Sequence, residues 1–390
     1  MYNNSVLVTD GRSKASVAIV RSLGKKKIDV TVGNDKVINP AFFSIYAKKR
    51  IIYPSPEEYP NLFLSRMYDL IRAKKYKVTI PVRDAATILF SKYKDKFAKF
   101  TKIPIPDYDI VMKCRDKGQT VSVAIDNNIP CPKTFIEGIH GDINKVISEF
   151  EFPVLVRPRE SSGSRGIVYV DSPEKFIQEY TMVKSKYGAV MVQEYIPHTG
   201  SAYNVSALFN QYSEPRAVFV LKKIRQYPIT GGPTAFAESV ERSDVKRYAL
   251  KLLKALNWYG VAEVEFLFDK RDKMPKLLEI NPRFWDPLSL AIASGVDFPY
   301  LLYKMALEDD IEPVTSYRLG IKWRYFIYDI LCFLSTDSKF KKLPEFFTFN
   351  NVNDAILSFN DPGPALATIL DGFMALFNKK KRSHVFDRGW

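Results

Sequence analysis

Short apolar runs alternate with amphipathic stretches along the first part of the chain. Residues 5–9 (Ser-Val-Leu-Val-Thr) read as a strand buried on both faces. The turn Asp10-Gly11-Arg12-Ser13 leads into a helix over Ala15–Leu23, and Ile28–Val32 reads as a second strand. Val78–Val82 is a later strand of the same kind. Strand, helix and strand in that order predict a doubly wound parallel sheet. The turn at residues 9–13 then lies at a strand's carboxyl end, where such sheets bind ligands. It holds one glycine, so a dinucleotide fingerprint is absent, and both a substrate-lining role and a plain connecting turn stay open.

Further on, a helix is expected from near Asp116 to about Asn127, ended by the Pro-rich exit Ile129-Pro130-Cys131-Pro132. Phe152–Pro158 reads as a strand, with Ile167–Val170 as its hairpin partner across a loop of small residues. Val190–Ile196, Asn204–Phe209 and Ala217–Lys222 read as strands and Asp244–Leu256 as a helix. Ala262–Phe268 and Lys276–Ile280 read as two strands joined by a turn over residues 269–275. Beyond about residue 318 the pattern changes. Ile321–Leu334 is aromatic and apolar but too short to span a bilayer, and Pro364–Phe377 is apolar on one face. That last segment is expected as a terminal helix docked on the protein. Because Lys379-Lys380-Lys381-Arg382 follows it, a place at a membrane interface stays open.

Composition narrows the chemistry. With 390 residues, 46% of them apolar, the chain has material for two or three domains. The start, Met1-Tyr2-Asn3-Asn4, lacks the basic and apolar regions of a signal peptide, and no apolar run reaches the roughly 18 residues of a spanning helix, so a cytoplasmic location is expected. Three cysteines (Cys114, Cys131, Cys332) and three histidines (His140, His198, His384) lie without metal-ligand spacing. That speaks against a disulfide framework or a zinc site and leaves the work to carboxylates, Lys, Arg and backbone groups. The net charge of +15 is spread along the chain without a helix-turn-helix, zinc-finger or RNP-like signature, so nucleic acid is not an expected partner.

Two stretches stand out. In Arg157-Pro158-Arg159-Glu160-Ser161-Ser162-Gly163-Ser164-Arg165-Gly166, small residues let the backbone approach an anion, and Arg157 and Arg165 add charge. A phosphate cradle and a flexible hairpin are both open, but the P-loop ending is missing. In the two strands near residues 262–283, Glu279, Asn281 and Arg283 form one row by their spacing, and Glu265 can lie beside Glu279. Two carboxylates among Val264, Phe266, Leu278 and Ile280 repel each other and resist desolvation; a bound hard cation relieves both, and all-oxygen ligands suit Mg²⁺.

The ordered set Asp116-Lys117, Phe152-Pro-Val-Leu-Val-Arg-Pro158 with its Ser/Gly loop, Gln193-Glu194-Tyr195-Ile196, Glu265 and Glu279-Ile-Asn-Pro-Arg283 resembles the ATP-grasp superfamily over about residues 5–310. The likeness is strongest to its carboxylate–amine ligases and to the ATP-grasp domains of carbamoyl phosphate synthase, biotin carboxylase and D-Ala–D-Ala ligase. The resemblance implies an α/β and α+β architecture. Residues 1–111 would form a Rossmann-like preATP-grasp domain, 112–193 a mobile lid, 194–317 a central antiparallel-sheet unit with the metal site, and 318–390 a small C-terminal extension.

It also implies roles for single residues. Lys117 and Arg157 would meet ATP phosphates, Arg157 standing where the family usually has lysine. Ser161, Ser162, Gly163, Ser164, Arg165 and Gly166 would close over them. Gln193, Glu194, Tyr195 and Ile196 would form the hinge that reads adenine, and Ala202 or a neighbour stands at the usual ribose-binding acid. Lys222 or Lys223 would contact phosphate. Glu265, Glu279 and Asn281 would hold two Mg²⁺ ions, with Mn²⁺ as a substitute. Arg283, Arg225 and the Gly231-Gly232 backbone would serve the reacting carboxylate. The implied reaction joins a small carboxylate to an amine, of amino-acid or peptide-like type, through an acyl phosphate with release of ADP and phosphate. A degenerate nucleotide-binding regulator or scaffold, and activation of bicarbonate as in carbamoyl phosphate synthase or a carboxylase, are the alternatives. Peripheral membrane contact through the C-terminal basic segment and a homodimer are further open partners.

Overall fold

The computed structural model describes residues 4–161, 165–197, 201–229, 231–335, 346 and 351–376. The first sheet is parallel, in the order β3-β2-β1-β4, built from β1 (Ser5–Val8), β2 (Asp29–Asn34), β3 (Lys49–Ile52) and β4 (Val78–Ile80). Its central strands are wholly buried at Val6, Leu7, Val8, Val30 and Val32, as β-branched runs covered on both faces require. The helix Lys14–Lys25 is capped by Ser13, whose side chain accepts a hydrogen bond from the Ala15 amide, and it buries Val17, Ile19, Val20 and Leu23.

The second sheet is antiparallel, in the order β5-β8-β6-β7: β5 (Thr134–Ile136), β6 (Val154–Pro158), β7 (Val168–Val170) and β8 (Val190–Glu194). The helix Pro173–Tyr187 packs Phe176, Tyr180 and Val183 into the same core as Val154, Val156 and Val192. The hairpin β6–β7, whose loop holds residues 159–167, thus projects from a small core of its own.

The third sheet has seven strands, in the order β13-β12-β9-β10-β11-β14-β15. These are β9 (Ala202–Phe209), β10 (Pro215–Gln226), β11 (Thr234–Ser239), β12 (Gly260–Asp269), β13 (Met274–Asn281), β14 (Lys322–Arg324) and β15 (Val352–Asp354). One face carries the helix Ser243–Ala255, where Val245, Ala249, Leu252 and Leu253 join Phe209, Trp258 and Phe266. The other face shares a core with the parallel sheet: Leu208, Phe219, Leu221 and Trp323 pack with Val6, Val8 and Val32. That shared core brings the loops after β1 and β4 to the end of β13. Residues beyond 318 add β14 and β15 to this sheet, then the helix Gly363–Leu376, which lies on the short helix Pro40–Phe43. Among the described residues no helix is long and apolar enough to cross a membrane.

Candidate active site

The acidic row is set by strand register. β12 and β13 pair antiparallel with Glu263 opposite Asn281 and Glu265 opposite Glu279, and a bulge follows Glu265. Opposite residues share a face, so the two strands present Glu263, Glu265, Glu279 and Asn281 together. Asn281 donates its amide to Glu263 Oε2 at 3.2 Å and to Glu265 Oε1 at 3.1 Å, while its own oxygen accepts from Arg283 Nη2 at 3.2 Å. The expected metal-facing amide oxygen is therefore turned toward Arg283, and a half-turn of the amide exchanges the two ends.

Glu263 was not singled out from the sequence. It is buried, its Oε1 has no hydrogen-bond partner among the described residues, and burial followed by the charge of Glu265 pushes its carboxyl up to about 8. The signal was available: Glu263 and Glu265 are two apart on one strand, the same spacing that groups Glu279 with Asn281.

Basic side chains surround the row, Lys223 from the same sheet and Lys117 and Arg157 from outside it. Lys223 Nζ lies 2.6 Å from Glu265 Oε2. Burial opposes its charge, but Glu265, with Glu263 and Glu279, outweighs that and holds the ammonium above its usual range. The structure thereby separates the two candidates on β10, since Lys222 next to it must point to the opposite face. Lys117 and Arg157 both reach Glu279 Oε2 at 3.8 Å. Lys117 Nζ also donates to the Ser161 carbonyl at 2.5 Å. Burial, opposed by Glu279 and seconded by Arg157, brings its ammonium down to about 8. Arg157 Nη1 donates to Gln193 Oε1 at 3.0 Å, its Nε has no partner among the described residues, and burial lowers its affinity for a proton. Asp116 caps the helix Lys117–Asp126 by accepting from the Gly118 amide at 2.9 Å, and it is forked by Arg159 from β6's outgoing loop.

Other expected residues fall around this centre. Of the loop, Ser161, Arg165 and Gly166 are described, Arg165 exposed; Ser162, Gly163 and Ser164 lie outside the described residues. At the end of β8, Glu194 accepts from the Lys133 amide at 2.9 Å and pairs with Arg271 at 3.1 Å, Tyr195 packs edge-on against Tyr169, and Ile196 is buried. Ala202 opens β9 and brings no acid. Gly231 has φ 145° in the turn between β10 and β11, and a Cβ on Gly232 would come 2.5 Å from the Tyr227 carbonyl oxygen, so the tight turn requires both glycines.

Arg283 lies beside the acidic row and is oriented by Asp84, whose Oδ1 accepts from its Nε at 3.0 Å. Burial works against the Asp84 charge, but Arg283, Arg115 and Arg83 override it and keep the carboxyl below its usual range. Arg225 is not at the centre. It forks the fully buried Asp329 at 2.5 and 2.9 Å on the side of the helix Phe326–Leu334.

A family model described as "ATP-grasp in the biosynthetic pathway with Ter operon" matches residues 189–326, the stretch that holds β9–β13 and the whole acidic row. Over those residues the chain is similar to ATP-grasp proteins. D-aspartate ligase of Enterococcus faecium is 25% identical to this chain over 233 residues, which is 54% of each protein. Acetyl-CoA carboxylase of Schizosaccharomyces pombe is 23% identical over 198 residues, 48% of this chain. The chain spans only 8% of that carboxylase's length. Among solved structures, biotin carboxylase from Campylobacter jejuni, as its β,γ-ATP complex, superposes with a TM-score of 0.69 at 16% identity over 82% of this chain and 74% of that one. That likeness establishes the fold.

The residues fit a divalent cation by their chemistry: three carboxylates and an amide, all oxygen donors, with a buried Glu263 oxygen lacking a partner. As they stand, Lys223 and Asn281 occupy both oxygens of Glu265, and Asn281 also holds Oε2 of Glu263. Among the described residues no three His, Cys, Asp or Glu side chains are already in cation-holding geometry.

Proposed function

We propose that this protein is an ATP-dependent ligase that joins a small carboxylate to an amine, of amino-acid or peptide-like type, through an acyl phosphate. The observation that carries the reading is a cluster of both signs: Glu263, Glu265, Glu279, Asn281 and Lys223 on one face of the seven-stranded sheet, with Lys117 and Arg157 reaching Glu279 from outside that sheet. An enclosed set of both signs suits a triphosphate with its metal and has little structural reason to exist without one. Mg²⁺, held by Glu265 and Glu279 with Glu263 and a turned Asn281, would neutralise phosphate charge. Lys117 and Arg157 would exchange Glu279 for phosphate oxygens. Lys223 would exchange Glu265 for the transferred group. Arg283, fixed by Asp84, would orient the substrate carboxylate. The hinge at Gln193–Ile196 would seat adenine, and closure of the β6–β7 hairpin would keep water from the acyl phosphate.

ADP release measured over a panel of carboxylates and amines tests this. The expected result is ADP release that depends on one carboxylate, with hydroxylamine in place of the amine attacking the acyl phosphate to give a hydroxamate and phosphate. Release driven by bicarbonate alone would instead place the protein with the carboxylases. Tight ATP binding without any release would favour a nucleotide-binding regulator, a reading supported by the ion pairs that already satisfy Glu265 and Glu279. The division at residues 111, 193 and 317 and a cytoplasmic location belong to the same proposal.

A further inference from the structure

The helix Gly363–Leu376 is amphipathic in the inverted sense. Its docked side carries small residues: Ala367 is wholly buried, Ala365 and Pro364 are buried beside it, and a Cβ on Gly363 would come 2.0 Å from the Phe43 carbonyl oxygen. The side turned away carries the large ones. Leu366 is 61% exposed, Ile369 59%, Leu370 53% and Phe373 62%, with Met374 next to them. Those positions recur at helical spacing and form one stripe. Phe43 and Ile45, both exposed, continue the apolar surface at the helix start, where Asp361 accepts from the Ile45 amide at 2.9 Å.

An ordinary docked helix puts its large apolar residues down, because that is where burial stabilises. Here they face outward, so something beyond the described residues must cover them for the arrangement to be favourable. A second copy is poorly suited. A strip about 20 Å long and about 10 Å wide falls far short of the about 800 Å² per partner of a standard interface. A helix of 14 residues is too short to cross a bilayer. In sequence, just past the described residues, comes Lys379-Lys380-Lys381-Arg382, on a chain of net charge +15. An apolar stripe beside a cationic run complements an anionic lipid surface, where the stripe sinks to the acyl boundary and the cations meet headgroups.

We infer that the helix Gly363–Leu376 lies in the plane of an anionic lipid bilayer and holds the protein there. The helix is tied to the turn after β1 by Arg12, which donates to Asp371 at 2.8 Å.

Co-sedimentation of the full chain with vesicles, without nucleotide, tests the inference independently of any ligase activity. The chain should pellet with phosphatidylcholine–phosphatidylglycerol vesicles and stay in solution with pure phosphatidylcholine. Leu366→Asn with Leu370→Asn should lower vesicle affinity at least about tenfold while the melting temperature holds, since both side chains are exposed. Lys380→Gln with Lys381→Gln should weaken binding and flatten its salt dependence. No pelleting with the anionic vesicles, or wild-type binding by the leucine double variant, overturns the inference. So does a wild-type dimer in sedimentation velocity that the leucine variant splits, because that result assigns the stripe to a second copy.

Discussion

Two regions of this molecule break the rule that apolar groups go inside and polar groups outside, and they break it in opposite senses. At β12 and β13, carboxylates are drawn into a sheet whose neighbours Val264, Phe266 and Ile280 are buried. At the helix Gly363–Leu376, leucine, isoleucine and phenylalanine are turned out. The first violation is held in place by the largest sheet of the fold and answered by opposite charge within the protein. The second is held by a few small residues, Gly363, Ala365 and Ala367, on its docked side. A polar group forced inward thus marks a site for a small charged ligand, and an apolar group forced outward marks a surface for something large.

The comparison can be broken at several points. Phe266→Ala, beneath the acidic row, should cost about 3–5 kcal/mol of stability, read as a fall in the denaturation midpoint, because the ring is wholly buried. Glu279→Gln should leave folding intact yet cut ADP release by more than about a hundredfold, since one charge of the ligand row is lost. Unchanged release would remove Glu279 from the chemistry. Lys117→Ala should weaken nucleotide binding about tenfold or more by calorimetry. In the wild type, affinity should fall as pH rises through about 8, where the Lys117 ammonium loses its proton.

Glu263→Gln sharpens the contrast through pH. The carboxyl is raised to about 8 in the fold, against about 4.3 in the unfolded chain. The protonated form therefore lends stability that is full at low pH and lost as pH climbs across that window. The melting temperature of the glutamine variant should gain on the wild type by about 2 °C or more between the two ends of the window. An unchanged gap would mean that Glu263 titrates normally. The smallest effect is expected from Leu370→Ala on the outward face, within about 0.5 kcal/mol of wild type in solution.

Much of the fold was legible from local patterns. The β1–helix–β2 unit, the hairpin β6–β7 and the pair β12–β13 all follow from periodicity and turn chemistry within a few tens of residues. So did Glu265 and Glu279, because alternation along a strand fixes which residues share a face. What escaped reading were pairs joined across the chain. Asp84 orients Arg283 from 199 residues away, and Asp329 captures Arg225 from 104. A basic residue followed along β10 looks the same whether it faces Glu265 or Asp329, and only the bulge between Lys223 and Arg225 and the position of the helix Phe326–Leu334 decide. The orientation of the last helix was illegible for the same reason: apolar spacing reveals a stripe but not which way it is turned.

The buried carboxylate Asp361 has a consequence for how the molecule is made. It accepts from Arg21 at 2.8 Å, from the Ser44 hydroxyl at 2.8 Å and from the Ile45 amide at 2.9 Å, all in the first sheet's surroundings. During synthesis those donors leave the ribosome more than 300 residues before their acceptor does. The opening unit must therefore wait, with a guanidinium and an amide still hydrated, until Asp361 has emerged to close it.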